Sequence, residues 1–470
     1  MFNNELWQKP AGGAGGSAFY DYQIPKSCRF SNQNNYLKGP SNTAGADKKY
    51  TVSVWVKRTS FDKYSAVMGD SLGNWTLNFD SNNHLALSSH TEVKTTGVFR
   101  DPSAWYHIVA GNGPNSGDGF IYVNGVEQVL SGNTFNTNSG MFRSGTSVNI
   151  GQSNNAGYAY EFPGYIAECI GLYDITKSAS DFGEFKNGVW IPKEYTSFTT
   201  SQSFYLKFEN ASDLGNDSSG NNRDFTTYNM GTDHQVLDSP TFGSSSTGNC
   251  CTLNPLTIQS GLTISEGNLK MSRSSAGNVG IPTTMGASVG KYYFEVYWNN
   301  DTQVGNFTWG FVEPDSTIFG NDTAIQVPIA YALLNNSGQT YLNGSTVNMN
   351  GRQPTTGTII GVAIDFDNGK IFYGQDGGSS SRAMNWNNSS TGTGVPASGT
   401  NPVQTFTAGS ITLIPAFSIS SIGDTNWILN FGQSSAFSGA LTSQGNTDGN
   451  GYGDFYYSPP TGFTGWTTGG

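Results

Sequence analysis

Hydrolysis of a glycosidic bond needs two carboxyl groups about 5–10 Å apart, and one acidic pair on a predicted strand meets that need, Asp365 with Asp367. Two residues apart on one strand face, they stand about 7 Å from each other. The run D-x-D-N-G also invites a calcium-loop reading, but Gly369 falls at the fifth loop position instead of the sixth and no helix flanks it, so a hairpin tip fits better. Glu168 and Asp174 would lie about 20 Å apart along a strand, too far to act together. Asp213, Asp217 and Asp224 around Gly220 have the spacing of a calcium loop, yet such residues also build turns held by Asx hydrogen bonds, and the turn is the preferred reading. The histidines His84, His90, His107 and His234 lie on separate segments, and His107 in AWYHIVA reads as a packed strand residue. Cys28, Cys169, Cys250 and Cys251 lack metal spacing and read as buried free thiols. With no Ser-His-Asp order and no phosphate loop, the chain is expected not to be an enzyme.

The elements that must position these groups are strands. From Thr358 to Asp376, TIIGVAIDFDNGKIFYGQD alternates Ile360, Val362 and Ile364 with Gly361, Ala363 and Asp365, and resumes at Ile371 and Tyr373. Asn368-Gly369 between the two runs predicts a two-residue turn with positive φ angles. Earlier, from about Ser27 to Ile191, CRFS, YTVSVWVKR, SAVMGD, WTLNFD, HLALSS, WYHIVAGNG, FIYVNGVEQ, SVNIGQ and YIAECIGLYD follow one another at sandwich spacing. In YTVSVWVKR, Val52, Val54 and Val56 share one face while Ser53 and Trp55 share the other, which predicts a central strand. SFYLKFEN places Phe204, Leu206 and Phe208 on one face, so the polar stretch around it is a strand lying on a sandwich instead of a loose linker. No segment shows a clean helical period, and little helix is expected.

Composition narrows the partners. The 470 residues suit two domains better than one. Charged residues make up 12% and Gly alone fills 61 positions, so the surface is polar and weakly charged. The 34 acids outweigh the 23 bases and no basic run occurs, which argues against nucleic acid and against acidic glycans. MFNNELWQKPAGGAGG has neither a basic nor an apolar leader region, and no stretch approaches about 18 apolar residues, so neither export nor membrane insertion is signalled.

SVWVKR, AWYHIVA, FIYVNGVEQ with its Asn124-Gly125 turn, NIGQSN and FPGYIAECIGLYDITKSASDFGEF resemble, in order, the strands of laminin-G-like, concanavalin-type jelly rolls. That resemblance puts Cys28 and Cys169 on neighbouring strands, where a bridge is geometrically open, although free thiols are expected. It also implies glycan or calcium binding at the sandwich rim. Asp80, Asp101, Asp118 and Glu161 are the loop acids there, and they read as solvated. The E-x-D-x-x-E strand of glycanases on this fold is absent. DFGEFKNGVWIPKEY, FYLKFENASDLGNDSSGNNRDF and CTLNPL are similar to virion appendage or lectin-like proteins of phages of marine bacteria.

From Cys251 onward the resemblance is to the SPRY family. It rests on GKYYFEVYW, FTWGFVEPD, YALLNNSGQTYLNG, the Thr358–Asp376 hairpin, and ITLIPAFSIS with WILNFGQSSAF. Tyr292, Phe294, Val296 and Trp298 alternate and would fill the inter-sheet layer. SPRY domains bind peptides or partner proteins through rim loops, which here would include residues 299–307, 319–327 and 377–395.

The expected architecture is all-β, two concanavalin-like jelly-roll sandwiches in tandem. It comprises an attachment arm (1–25), a laminin-G-like sandwich (26–196), a connector packed on the sandwiches (197–250), a SPRY-like sandwich (251–440) and a Gly/aromatic-rich tail (441–470). In the arm, Phe2, Leu6 and Trp7 are apolar anchors, and the segment must dock on another subunit or be disordered. Tyr158, Tyr160 and Trp386 are the candidate rim aromatics for a sugar. The function expected is that of a non-enzymatic virion protein, a phage tail fibre or capsid decoration, made in the host cytoplasm and exposed on the particle. Its partners would be other virion proteins, a host-surface glycan or protein, and further copies of itself in a homo-oligomer, with no cofactor unless calcium. The alternative is a secreted or surface glycan-binding or glycan-cleaving protein.

Overall fold

The computed structural model describes residues 19–469 except 32–33, 44–48, 90, 114, 116–117, 133–139, 156–157, 274–278, 301–306, 315–329, 335–338, 343–344, 349–355, 378–383, 387–392, 410 and 420–422. The chain folds as two compact units, Met1–Asn249 and Cys250–Gly470. Among the described residues there is no α-helix, and the only helical pieces are single 3-10 turns such as Ala179–Asp181. Gly, Asn, Ser and Thr supply turns in place of helical runs.

In the first unit one sheet runs in the order Val126–Glu127, Phe120–Val123, Trp105–Asn112, Tyr50–Arg58, Gly164–Tyr173, Ser27–Phe30, Gln235–Val236. Its partner runs Leu130–Gly132, Thr91–Val98, His84–Ser89, Trp75–Phe79, Ser65–Asp70, Ser147–Ile150, Tyr36–Ser41, Thr226–Tyr228. Between them lie Val52, Val54, Val56, Trp75, Leu77, Phe79, Ile108 and Ile166. Tyr50–Arg58 is buried along its whole length, as a central strand with apolar residues on both faces must be. Cys28 and Cys169 are buried free thiols, and Cys250 and Cys251 are buried as well.

The stretch 197–250 is no separate connector. Phe204–Leu206 pairs with Gly164–Tyr173, Thr226–Tyr228 with Tyr36–Ser41, and Gln235–Val236 with Ser27–Phe30, so up to Asn249 it completes both sheets of the first unit. The proposed arm also docks in part on its own chain. Ile24 is fully buried and its N–H donates to Thr241 Oγ1, and Tyr22 donates to Glu168. Phe2, Leu6 and Trp7 fall outside the described residues.

The second unit pairs a nine-stranded sheet, built around Lys291–Asn300 and Ile359–Asp365, with a six-stranded one built around Ile414–Ile419 and Phe307–Val312. Phe294, Val296, Trp298, Ile360, Val362, Ile364, Ile371 and Tyr373 fill the layer between them, so the alternation read from sequence holds residue by residue. The hairpin tip differs. Asp365 pairs with Lys370, which makes Phe366 to Gly369 a four-residue loop, and of Asn368 and Gly369 only the glycine has a positive φ, 60°. Phe366 is buried in the core, and burying it outweighs the tighter turn. The C-terminal stretch is likewise no appended tail. Thr464–Gly465 pairs in parallel with Lys291–Asn300, Trp466 enters the main core, and Phe455 and Phe463 pack with Tyr293, Ala363 and Phe372.

Candidate functional site

The alternation that sends Trp75, Leu77 and Phe79 inward sends Thr76 and Asn78 to the opposite face of the sheet, and Leu85 and Leu87 do the same for Ser88. These outward residues line a cleft of about 530 Å³ together with Ala66, which pairs with Asn78, the turn residues Leu72, Gly73 and Asn74, and Tyr64, Glu92 and Tyr160. That turn is built by Asp70, whose Oδ1 accepts from Leu72 N at 3.1 Å and Asn74 N at 2.8 Å. Burial raises the Asp70 pKa. The hairpin of Gln152–Asn155 and Tyr158–Glu161 brings in Tyr160 and lies directly on the sheet. A Cβ on Gly69 would come within 2.5 Å of Ser153, so only glycine permits that approach.

Tyr64 and Tyr160 stand 5.6 Å apart, ring to ring. Burial and the charges of Glu92 and Asp80 raise the Tyr64 pKa, so its hydroxyl stays a neutral donor and acceptor. Among the lining residues, Thr76 donates to Asn78 Oδ1 at 3.1 Å, and Asn78 Nδ2 is buried without a partner. Lys94 bridges Glu92 and Asp80 at 3.4 and 3.0 Å. Two aromatic faces together with amide, hydroxyl and carboxylate groups suit a ligand with apolar C–H faces and many hydroxyls.

Of the rim aromatics expected from sequence, Tyr160 lines this cleft, while the Tyr158 side chain lies outside the described residues. Trp386 belongs to the second unit, half-buried against Tyr293 and over Gly374, and takes no part in the cleft. Thr76, Asn78 and Ser88 were not singled out, although they lie in WTLNFD and HLALSS, two stretches read as strands. The SPRY-like rim loops fall largely outside the described residues.

The acidic groups serve their own backbones. Asp365 accepts from Asn368 N and Nδ2 at 3.0 and 2.8 Å and pairs with Lys291 at 3.0 Å, whereas exposed Asp367 accepts from Gly290 N at 2.8 Å. One is buried in the strand end and the other turns to a neighbouring loop, so this candidate pair does not face one cleft. Asp217 accepts from the N–H groups of Tyr205, Ser219 and Arg223, and Asp224 accepts from Asp217 N, which is the Asx-turn arrangement. Asp80 and Asp101 accept from the N–H two residues on, Asp118 from Asn115 N and Glu161 from Asn34 N, and Asp80, expected to be solvated, is instead buried and paired with Lys94. His107 is stacked between Trp55 and Trp190, 4.7 and 5.9 Å away. Trp190 Nε1 donates to its Nδ1, so Nε2 carries the proton toward Ser53, and burial lowers its pKa to about 3. It is a packed, neutral residue.

Residues 31–181 match the family model described as the Concanavalin A-like lectin/glucanases superfamily, and residues 291–421 match that of the SPRY domain. No curated protein matches the chain. Among solved structures, the SPRY domain of human HERC1 is similar at 17% identity and TM-score 0.28, over 38% of this chain and 96% of that one. A putative carbohydrate binding protein from Bacteroides ovatus is similar at 17% identity and TM-score 0.32, over 44% of this chain and 58% of that one. Both domain classes suggest carbohydrate or protein binding, and the chain is an all-β protein in which a concanavalin-like, laminin-G-type domain is followed by a SPRY domain.

Proposed function

We propose that this chain is a non-enzymatic adhesion subunit of a phage particle, a tail fibre or capsid decoration, whose first sandwich binds host-surface glycan. The observation that carries the reading is the cleft lined by the Tyr64–Tyr160 ring pair, with the orphaned Asn78 amide among its lining residues. The likeness of the DFGEFKNGVWIPKEY region to phage appendage proteins supports the particle, and the SPRY domain supports contacts with other virion proteins or further copies of the chain. Binding of host-envelope polysaccharide to the purified protein tests it. Tyr160→Ala is expected to weaken affinity about tenfold, near 1.4 kcal/mol. No binding to any host polysaccharide, or release of reducing sugar from one, overturns the reading, as does absence of the chain from purified particles by mass spectrometry.

A further inference from the structure

On the face of Tyr50–Arg58 away from the inter-sheet core, Lys57 is 0% exposed. Its Nζ lies 2.8 Å from Asp238 Oδ2 and 2.7 Å from Asn249 Oδ1. Asp238 is also 0% exposed and Asn249 8%. Trp55, Trp105 and Tyr165 wall the site, and Nζ lies 5.5 Å from the Tyr165 ring centre. Trp105 Nε1 donates to Asp238 Oδ1 at 3.0 Å, which leaves Oδ2 for the lysine. Asn249 Nδ2 donates to the Ser103 carbonyl, which fixes the amide with Oδ1 toward Lys57. An amine, a carboxamide and a carboxylate are thus held in contact in a buried, aromatic-walled site.

From this arrangement we propose that Lys57 and Asn249 join in an intramolecular isopeptide bond, with Asp238 as the proton carrier. Burial penalises both charges of the Lys57–Asp238 pair, and passing one proton from Nζ to Oδ2 removes both at once. The neutral amine then bonds through its lone pair to Asn249 Cγ, and the carbonyl π pair moves onto Oδ1. Asp238 gives its proton to Nδ2 and takes a second one from Nζ. The Cγ–Nδ2 bond breaks with its electron pair on nitrogen, the carbonyl re-forms, and ammonia leaves past the Ser103 carbonyl. One amide C–N bond replaces another, so neither oxidant nor reductant is needed. Fixing amine and amide in contact supplies the effective concentration that such an exchange lacks in solution. The product ties the last residue of the first unit to its central strand across 192 positions, so tension entering from the second unit reaches the sheet without loading the stretch between.

Intact-mass measurement and peptide mapping of the denatured full chain test this. The wild-type chain is expected to be lighter than its composition by one ammonia and to yield a branched peptide holding both Lys57 and Asn249. Lys57→Met and Asp238→Asn should restore the full mass and linear peptides. A wild-type chain of full mass with linear peptides overturns the bond, and that measurement does not depend on either variant folding. A branched peptide at wild-type yield in Asp238→Asn overturns the role given to Asp238.

Discussion

Both units end in a polar, turn-rich stretch that folds back onto its own sandwich, but they hold it by different means. In the first unit the stretch after residue 197 is tied by strand pairing and by the buried Lys57–Asp238 ion pair. In the second, Glu295, fully buried on the central Lys291–Asn300 strand, accepts from the backbone N–H of Tyr456 at 2.9 Å and Tyr457 at 2.8 Å. Its remaining lone pairs take Tyr293 Oη and Asn430 Nδ2, each at 3.0 Å. The first unit has a buried glutamate too. Glu168 lies in a bulge of Gly164–Tyr173 at φ 48° and accepts from the hydroxyls of Tyr22 and Tyr205. One glutamate therefore clamps backbone, the other only side chains. A chain with few charges uses the ones it buries to decide where its weakest segments lie.

The largest effect is expected from removing the backbone clamp. Glu295→Ala takes the acceptor from two backbone N–H groups and from Tyr293 Oη, while Asn430 Nδ2 keeps the Asp454 carbonyl, at about 1–3 kcal/mol for each group that finds no other partner. A loss near 4 kcal/mol is expected, and limited proteolysis should then cut within residues 441–469 while the first unit stays whole. Tyr205→Phe, which removes one side-chain donor to Glu168, should cost only about 1 kcal/mol. Equal losses in the two variants would show that the clamp is no more than another buried hydrogen bond.

Acidity offers the next contrast. Burial pushes both Glu168 and Glu295 up to about 7 from an ordinary 4.5, against the donors that lower them. A carboxyl with a raised folded pKa holds its proton in the folded chain after the unfolded chain has released it. Its contribution is therefore fully present below pH 4.5, falls as pH rises from 4.5 to about 7, and is level above that. Each glutamate should cost about 3 kcal/mol across that window, read from urea midpoints taken at stepped pH. Glu168→Gln is expected to flatten the fall for the first unit alone. A wild-type stability that rises between pH 5 and 7 would reverse the sign and sink the argument.

How much of this was legible in the sequence depended on whether local pattern or distant contact set the outcome. Ile360, Val362 and Ile364 were placed by period-two alternation, and so was the central strand with Val52, Val54 and Val56. The cleft was half legible. Tyr160 was named, but Asn78 and Thr76 needed the inference that an inward Leu77 forces its neighbours outward. The anchoring of the two terminal stretches was not legible, because Glu295 meets Tyr457 across 162 positions and Lys57 meets Asp238 across 181. No local period records such a pairing. SFYLKFEN betrayed a strand in the first stretch, but the Gly-rich composition of the second made it look like a tail, and the buried charges that hold both left no local mark.

The smallest effect separates two Asn-Gly turns. Asn187-Gly188, between Gly183–Lys186 and Val189–Pro192, has φ of 52° and 80°, the two-residue hairpin turn that the dipeptide predicts. Asn368-Gly369 closes a four-residue loop in which Asn368 avoids positive φ and instead donates both its N–H and Nδ2 to Asp365. The same substitution should therefore fail for different reasons. Asn187→Ala forces a Cβ-bearing residue without a local hydrogen bond into left-handed backbone, at about 1 kcal/mol. Asn368→Ala loses one partly buried hydrogen bond to Asp365 and keeps an ordinary backbone, at about 0.5 kcal/mol. Asn187→Gly should restore most of the stability at its site, since glycine reaches positive φ without strain, whereas Asn368→Gly should be worse than Asn368→Ala, since flexibility is added where none is used. Denaturant midpoints at constant slope measure all four variants. If glycine rescues both sites equally, the two turns are one structure and Phe366 does not set the second.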